Sequence, residues 1–395
     1  MKNCIKIYLP VLFMAFAVAL ASGQSDQNEI VIQRSVPSIG NTRPIPVSIQ
    51  GFGSEVTDIL KFDLYVQGFT FVSPDAAQYQ ISGSSAGNVV GRVMDRFGKS
   101  TILSRSYGGS TLRRQAHAFS DDIVQTITGQ KRIALTRIAF KVEAASGNGE
   151  IYIADFDGYN AQPVTSDHAI VAAPAWVPGQ MILYYTSYKL GNPDIFYHNL
   201  NTRQRSVIAG YSGLNTSAAV SSDGTRVAMI LSRSGSPEVW VSNPDGSNLK
   251  QLTFMPEGAS SPCWSPDGQW ICFATEMHGR RMLAKIPADG GEVERIATVG
   301  IANPSEPNWS PDGKWIAFTS QMGEFDICVV PAGGGNATIL VRGEEPSWSP
   351  NSRTLIFVRH TPSYRYVLSL LDVYTKQVKD IRQISGDDSE PAWAK

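Results

Sequence analysis

The sequence is poor in cysteine, and the few cysteines it has exclude a protein built on disulfides. Four occur in 395 residues, and one of them, Cys4, lies near the start of the chain. The other three are Cys263, Cys272 and Cys328. An odd number cannot form a complete disulfide framework, although Cys263 and Cys272 flank one predicted turn and could bridge. We expect three buried thiols.

The chain also lacks an excess of either charge. It carries 34 Lys and Arg against 35 Asp and Glu, a net charge of −1, so no global field favours nucleic acid or an anionic membrane. Histidine is scarce too, and no two histidines have the spacing of metal ligands. We therefore predict no cofactor, no metal site and no nucleic-acid partner. The five histidines are His117, His168, His198, His278 and His360.

Long apolar runs are absent after the first residues. Lys2 and Lys6 precede an apolar run from Ile7 to Leu20, and small residues with Ala-x-Ala spacing follow it. This pattern predicts a secretory signal peptide over residues 1–23 rather than a retained membrane helix. Cys4 precedes the run, so it cannot be a lipid-bearing cysteine after a cleavage site. We expect an exported protein with no direct membrane insertion.

What the sequence has in abundance is one repeated phrase, Trp-Ser-Pro-Asp-Gly, with Trp at positions 264 and 309. The phrase predicts a strand, a type I turn and a second strand, because Pro sets φ at the start of the turn and Gly accepts positive φ at its end. The Trp slot recurs every 39 to 45 residues, close to the ~40–50 residue period of a propeller blade. The six slots are Trp176, Val220, Trp264, Trp309, Trp348 and Trp393.

Six slots predict a six-bladed β-propeller over residues 132–395. The last slot, Trp393, lies too close to the C-terminus for its blade to continue. Residues 137–140 and 150–155 instead match the second and third strands of the repeat. We predict that residues 136–165 supply three strands of a blade whose innermost strand is 390–394, which closes the ring.

Residues 24–131 predict a small α/β domain, which makes the chain an α+β protein of two domains. Five short β-prone runs accompany a helix capped by Ser54 and a second helix from Ser110 to Gly129. The string Gly83–Gly87 matches G-x-S-x-G, but it lies between two predicted strands rather than between a strand and a helix. We therefore predict no catalytic residue in this chain.

The residue three positions before each Trp slot is expected at the mouth of the central channel. Three successive blades place glutamate there, and Glu344, Asp387 and Asp388 lie nearby. These acids either accept local backbone N–H groups or form a recognition surface for a basic or amide-rich partner. The six positions are Ala173, Ser217, Ser261, Glu306, Glu345 and Glu390.

A second candidate interaction site is the β-prone run near the start of the mature chain. It is either an ordinary first strand or a strand given to the exposed sheet edge of another protein. Its residues are Glu29, Ile30, Val31, Ile32, Gln33 and Arg34.

The order of these features resembles the TolB family, the periplasmic components of the Tol-Pal envelope system. The phrase HxxSDxIxxxxTG at 117–129, TRIAF at 136–140 and Trp-Ser-Pro-Asp-Gly repeats ending in EPAW carry the resemblance. It implies a monomeric, non-enzymatic adaptor that supports outer-membrane integrity and invagination during cell division.

In that family, the propeller mouth binds the lipoprotein Pal, and the N-terminal strand binds the inner-membrane protein TolA. Carried over, the Pal face includes Ser261, Glu306, Glu345 and Glu390, and other outer-membrane lipoproteins are further candidate partners. The TolA segment is 29–34, although it is less acidic here than the resemblance leads us to expect. The alternative is an exported propeller hydrolase or carbohydrate-binding module that uses the channel.

Overall fold

The computed structural model describes residues 38–144, 147–361, 365–381 and 387–395. The predicted signal peptide and the predicted TolA segment, 29–34, lie outside these residues. None of the helices in the described ranges is both long and apolar enough to cross a bilayer.

The N-terminal part is one five-stranded sheet covered by two helices. The strand order is β2-β1-β3-β4-β5; β1 runs parallel to β2 and β3, and the remaining pairs are antiparallel. In chain order, the elements are β1 Ile45–Gln50, α1 Ser54–Tyr65, β2 Phe69–Phe71, β3 Tyr79–Ser84, β4 Val89–Asp95, β5 Ser100–Tyr107 and α2 Leu112–Thr128. The G-x-S-x-G string joins β3 to β4, as the sequence predicted.

The helices pack their apolar stripes against the sheet, but the cap of α1 and the start of α2 differ from the prediction. Ser54 is the first helical residue of α1, and the cap is Gly53, which has no side chain to bond. The Gly53 N–H donates instead to Ser85 Oγ at 2.8 Å. In α2, the Thr111 side chain accepts the Arg114 N–H, so the helix begins after Ser110. Gly129 ends α2 in the left-handed conformation, as predicted.

The rest of the described chain is a six-bladed propeller of four-stranded antiparallel sheets, as predicted. Blade 1 contains β6 Arg137–Glu143, β7 Gly149–Asp155 and β8 Gln162–Pro163. Blade 2 is β9 Val171–Trp176, β10 Ile182–Ser187, β11 Asp194–Asn199 and β12 Arg205–Ala209. Blade 3 is β13 Asn215–Val220, β14 Val227–Leu231, β15 Glu238–Ser242 and β16 Lys250–Gln251.

Blade 4 is β17 Ala259–Trp264, β18 Trp270–Met277, β19 Arg280–Pro287 and β20 Glu294–Ile296. A short parallel pair joins β21 Thr298–Val299, which precedes blade 5 in the chain, to β25 Gly335–Asn336, which lies between the third and fourth strands of blade 5. Blade 5 itself is β22 Pro304–Trp309, β23 Trp315–Gln321, β24 Phe325–Pro331 and β26 Thr338–Arg342. Blade 6 is β27 Glu344–Trp348, β28 Thr354–His360, β29 Tyr366–Asp372 and β30 Val378–Asp380. The last strand, β31 Asp387–Trp393, returns to blade 1.

The ring closes by the predicted pairing of the two ends of the propeller sequence. Strand β31 is the innermost strand of blade 1 and runs antiparallel to β6, with Trp393 opposite Ile138. The Trp393 side chain is 2% exposed, and its indole N–H donates to Thr136 Oγ1 at 2.8 Å. Blade 1 is therefore held together by residues from opposite ends of the propeller.

The Ser-Pro-Asp-Gly turn satisfies its own polar groups. In blade 4, the Ser265 hydroxyl donates to Asp267 Oδ1 at 2.5 Å and accepts the Trp270 N–H at 2.9 Å, while Gly268 has φ 69°. In blade 6, Asn351 takes the place of the aspartate and accepts from Ser349 Oγ at 2.6 Å. The degenerate copy therefore keeps the bonding of the turn.

The phrase HxxSDxIxxxxTG in α2 joins the two parts of the fold. His117 Nδ1 and Ser120 Oγ both lie within 2.8 Å of the buried Asp63 Oδ2 of α1. Asp121 accepts the N–H groups of Ile133 and Ala134, each at 2.9 Å, in the segment that leads into blade 1. Burial is the largest single effect and lowers the pKa of His117, but the carboxylates of Asp63 and Asp157 together raise it above its ordinary value. Within the phrase, Asp121 therefore links α2 to the segment that leads into the propeller.

Candidate functional site

Each innermost strand of the propeller contains a β-bulge at the position three residues before its Trp slot. In blade 4, Ser260 pairs with Ala274 and Cys263 pairs with Cys272, so Ser261 and Pro262 together oppose Phe273. The other five blades repeat this two-against-one register. All six bulge residues have left-handed backbones, with φ of 49° at Ala173, 55° at Ser217, 50° at Ser261, 51° at Glu306, 57° at Glu345 and 52° at Glu390.

The bulge follows from two features of the repeat. In five blades the bulge residue is followed by proline, which has no N–H to give to the strand ladder. The residue opposite the bulge is large and buried, and the fold holds the left-handed conformation at a cost of about 1–2 kcal/mol per residue. The opposing residues are Phe140, Tyr185, Met229, Phe273, Phe318 and Phe357.

The six bulge residues line one cavity of about 660 Å³ in the central channel. Four predicted site residues, Ser261, Glu306, Glu345 and Glu390, meet there. The cavity extends along the innermost strands to the Trp slots and the first residues of the turns. The bulge residues therefore lie within the channel wall rather than at the outer edge of its mouth.

The three bulge glutamates, Glu306, Glu345 and Glu390, each bond to the backbone of the next blade. Glu306 Oε2 accepts the N–H of Glu345 at 3.2 Å and the Thr319 hydroxyl at 2.6 Å. Glu345 Oε2 accepts the N–H of Glu390 at 2.5 Å, and Glu390 accepts the N–H of Ala173. The backbone-acceptor interpretation thus describes these three residues, with the donor on the neighbouring blade.

Burial raises the pKa of all three carboxyl groups. The pKa of Glu345 lies well above the usual range, because burial and the facing charges of Glu390 and Glu306 both disfavour its ionised form. Burial also raises the pKa of Glu306 and of Glu390, against the hydrogen bonds that each accepts. Burial in the wall therefore disfavours the ionised form of each of these glutamates.

The remaining predicted acids, Glu344, Asp387 and Asp388, lie where β27 and β31 begin, at the end of the channel opposite the turns. Glu344 Oε1 lies 2.6 Å from His360 Nε2, and Asp387 Oδ1 lies 3.8 Å from Arg365 Nε. We call these three residues the strand-start acids.

Asp388 differs from the other two strand-start acids because it is buried. Asp388 is only 1% exposed, and its Oδ1 has no hydrogen-bond partner among the described residues. Burial, reinforced by the charge of Asp387, raises the pKa of Asp388 to about 7. Only Glu344 and Asp387 of this group present side-chain surface to a partner.

Sequence reasoning located the bulge positions but missed the bulges themselves. The signal was present in the sequence. A proline inside a strand is confined to edges and bulges, and five of the six innermost strands carry proline two residues before the Trp slot. The sequence prediction of three buried thiols is confirmed, as Cys263, Cys272 and Cys328 are all buried and free.

Comparison with known proteins agrees with the geometry. Residues 124–395 match the family model described as the TolB beta propeller domain. The curated Tol-Pal system protein TolB of Bordetella pertussis (strain Tohama I) is 30% identical over 204 residues, which cover 51% of this chain and 46% of the relative. The same protein from Bordetella bronchiseptica gives the same identity and coverage. The matched region thus spans about half the length of these relatives.

Solved structures extend the likeness of fold to most of the chain. The crystal structure of TolB from Acinetobacter baumannii superposes with a TM-score of 0.80 at 24% identity, covering 90% of this chain and 98% of that one. The family match covers more than half of the chain and includes all six blades. By its repeats, its closed ring and this match, the chain belongs to the TolB propeller family.

Proposed function

We propose that this protein is a periplasmic, non-enzymatic adaptor of the Tol-Pal envelope system. It couples the peptidoglycan-associated lipoprotein Pal to the inner-membrane protein TolA, and so supports outer-membrane integrity and invagination during division. Membership of the TolB propeller family is the observation that carries this proposal. The name of the Bordetella relatives, Tol-Pal system protein TolB, supports the same assignment.

The proposed Pal face is the acidic half of the channel. It comprises Ser261, the bulge glutamates and the strand-start acids, which belong to blades 4, 5, 6 and 1. Because the bulge glutamates bond to neighbouring blades, we assign them the shaping of the channel wall. Direct contact with Pal falls to Glu344 and Asp387, whose side chains are partly exposed.

Capture of partners from an envelope extract tests this assignment. The tagged full chain should recover a lipoprotein, and the double variant Glu344→Lys, Asp387→Lys should lose most of that recovery because it reverses two accessible charges. Glu292→Lys is the matched control, since Glu292 is exposed between β19 and β20, away from the channel. Unchanged recovery by the double variant would remove the strand-start acids from the interface.

The same experiment distinguishes the adaptor from a carbohydrate-binding module that uses the channel. Recovery of a saccharide in place of a lipoprotein would favour the carbohydrate-binding alternative. For the second partner, deletion of residues 24–34 should abolish TolA binding while lipoprotein recovery and the melting temperature remain unchanged. Loss of both interactions together would contradict the proposal that TolA and the lipoprotein bind at separate sites.

A further inference from the structure

All three buried cysteines converge on the apolar core between blades 4 and 5. Cys263 lies in β17, Cys272 in β18 and Cys328 in β24, and they share one cluster with Trp309 and Phe318. The packing alone accounts for small apolar side chains at these places. Packing does not explain why Cys263 and Cys272 are cross-strand partners.

Cys263 and Cys272 stand directly opposite each other on adjacent antiparallel strands. Side chains of such a pair leave the same face of the sheet. Two positions along, the Ser265 N–H donates to the Trp270 carbonyl at 2.9 Å, so Cys263 and Cys272 form a hydrogen-bonded pair, for which Cα atoms are about 5.5 Å apart. Disulfides span Cα separations of about 4.4–6.8 Å. Both side chains also belong to the same apolar cluster between blades 4 and 5.

The channel reaches only one of these thiols. Cys263 follows the bulge of blade 4, is 8% exposed and lines the cavity, whereas Cys272 and Cys328 are fully buried. Lys395 lines the same cavity. The thiolate is the attacking form in thiol–disulfide exchange.

We propose that Cys263 and Cys272 form a dithiol that is open to the channel and that small-molecule disulfides oxidise to a cross-strand disulfide. The Cys263 thiolate attacks one sulfur of the small disulfide and releases one small thiol. The Cys272 sulfur then attacks Cys263 of the mixed disulfide and releases the second. Both cysteines are oxidised, both halves of the reagent are reduced, and the two thiol protons leave on the released thiols.

This modification would act on the channel wall itself. Cys263 is the residue after Pro262, so the new bond would tie the blade 4 bulge to β18 beside Ser261. Because Cys263 lines the channel, a reducing thiol that enters the channel can attack the disulfide, so the modification is reversible. This proposal rests on the described contacts and is independent of the partners proposed above.

Treatment of the folded chain, with Cys4→Ser in every variant so that only the three buried thiols remain, with the neutral reagent 2-hydroxyethyl disulfide tests the proposal. Mass spectrometry should show loss of two hydrogens per chain and a Cys263–Cys272 peptide pair, with Cys328 still reduced. The variant Cys272→Ser should instead trap the reagent on Cys263 as a stable mixed disulfide, and Cys263→Ser should not react.

Two controls keep the outcome decisive. In denaturant every thiol should react, which shows that the reagent is active, and Cys328→Ser should behave as the unmodified chain. If the folded chain reacts no faster than it unfolds, the reagent does not reach Cys263 through the channel and the proposal is overturned. Trapping of the reagent on Cys272 would overturn it as well. A Cys272–Cys328 bond would overturn it equally.

Discussion

At the scale of single residues, the decisive feature is a glutamate held in a left-handed backbone conformation inside the channel. The sequence could identify its position, because comparison of the repeats aligns Glu306, Glu345 and Glu390. It could not identify the donor, since the N–H that each carboxylate accepts belongs to a residue about one repeat away in the chain. Only the ring brings these groups together.

Glu345 predicts a dependence of stability on pH. Its pKa is raised in the folded protein, so the folded state binds more protons than the unfolded state above the ordinary glutamate range. Its contribution to stability is therefore complete below the unfolded pKa and is lost as the pH rises through the folded pKa. Glu345→Gln keeps an oxygen that can accept the Glu390 N–H but removes the charge. We expect it to raise the unfolding free energy near pH 8 by roughly 1 to 3 kcal/mol.

Chemical denaturation at several pH values measures this effect. The difference between Glu345→Gln and the unmodified chain should shrink as the pH falls below the glutamate range. Glu55→Gln, an exposed site on α1, should leave the profile unchanged. A variant that is less stable at high pH would mean that the ionised carboxylate stabilises the ring.

At the scale of elements, the sequence predicted strands better than caps. Alternating apolar residues and the turn phrase fix the hairpins, because each turn satisfies its own polar groups. Ser54 was wrong as a cap because the choice between Gly53 and Ser54 depends on Ser85, which reaches the Gly53 N–H from the β3–β4 turn. Such a tertiary contact leaves no mark in the local sequence.

Strand β31 predicts a large effect from a single side chain. Trp393 is buried between blades 1 and 6 in the cluster with Ile138 and Ile356. Trp393→Ala should lower the unfolding free energy by roughly 3 to 5 kcal/mol, since it opens a cavity at the closing seam. Removal of residues 391–395 should prevent formation of a stable propeller, and circular dichroism with thermal melting measures both.

Trp270→Ala is the matched control, because Trp270 is only partly buried and its ring contacts the Lys285 amine at 4.0 Å. It should cost much less. If the truncated chain melts like the full chain, the pairing of β31 with β6 does not close the ring in solution.

At the scale of the whole molecule, one aromatic side chain connects the α/β part to the propeller. Phe156 is fully buried, and its ring lies 5.9 Å from Phe62 of α1, 5.7 Å from His117 of α2 and 6.2 Å from Trp393 of β31. This contact joins the two parts at the closing blade. It was not predictable, because Phe156 lies outside the repeated positions.

We expect the two parts to unfold in a single transition as long as Phe156 is present. Phe156→Ala should lower the unfolding free energy by roughly 3 to 5 kcal/mol and split the calorimetric transition, because it removes a fully buried ring from the cluster that Val66 and Phe62 also share with the propeller. Phe273→Ala, equally buried within blade 4, should cost a similar amount without splitting it. A single transition in Phe156→Ala would show that the remaining contacts between the parts, among them the bonds of Asp121 to Ile133 and Ala134, are sufficient for coupling.

The pairing of β31 with β6 also determines the order in which the blades can form. Trp393 reaches a hydroxyl 257 positions earlier in the chain, so the inner edge of β6 stays unpaired until nearly the whole propeller has been synthesised. Neighbouring blades can form in sequence as their repeats emerge, but blade 1 cannot, and loop closure over such a separation is slow. We expect a growing chain to remain open and unable to complete its fold, the state that a protein must keep if it is to be threaded through a membrane before it folds.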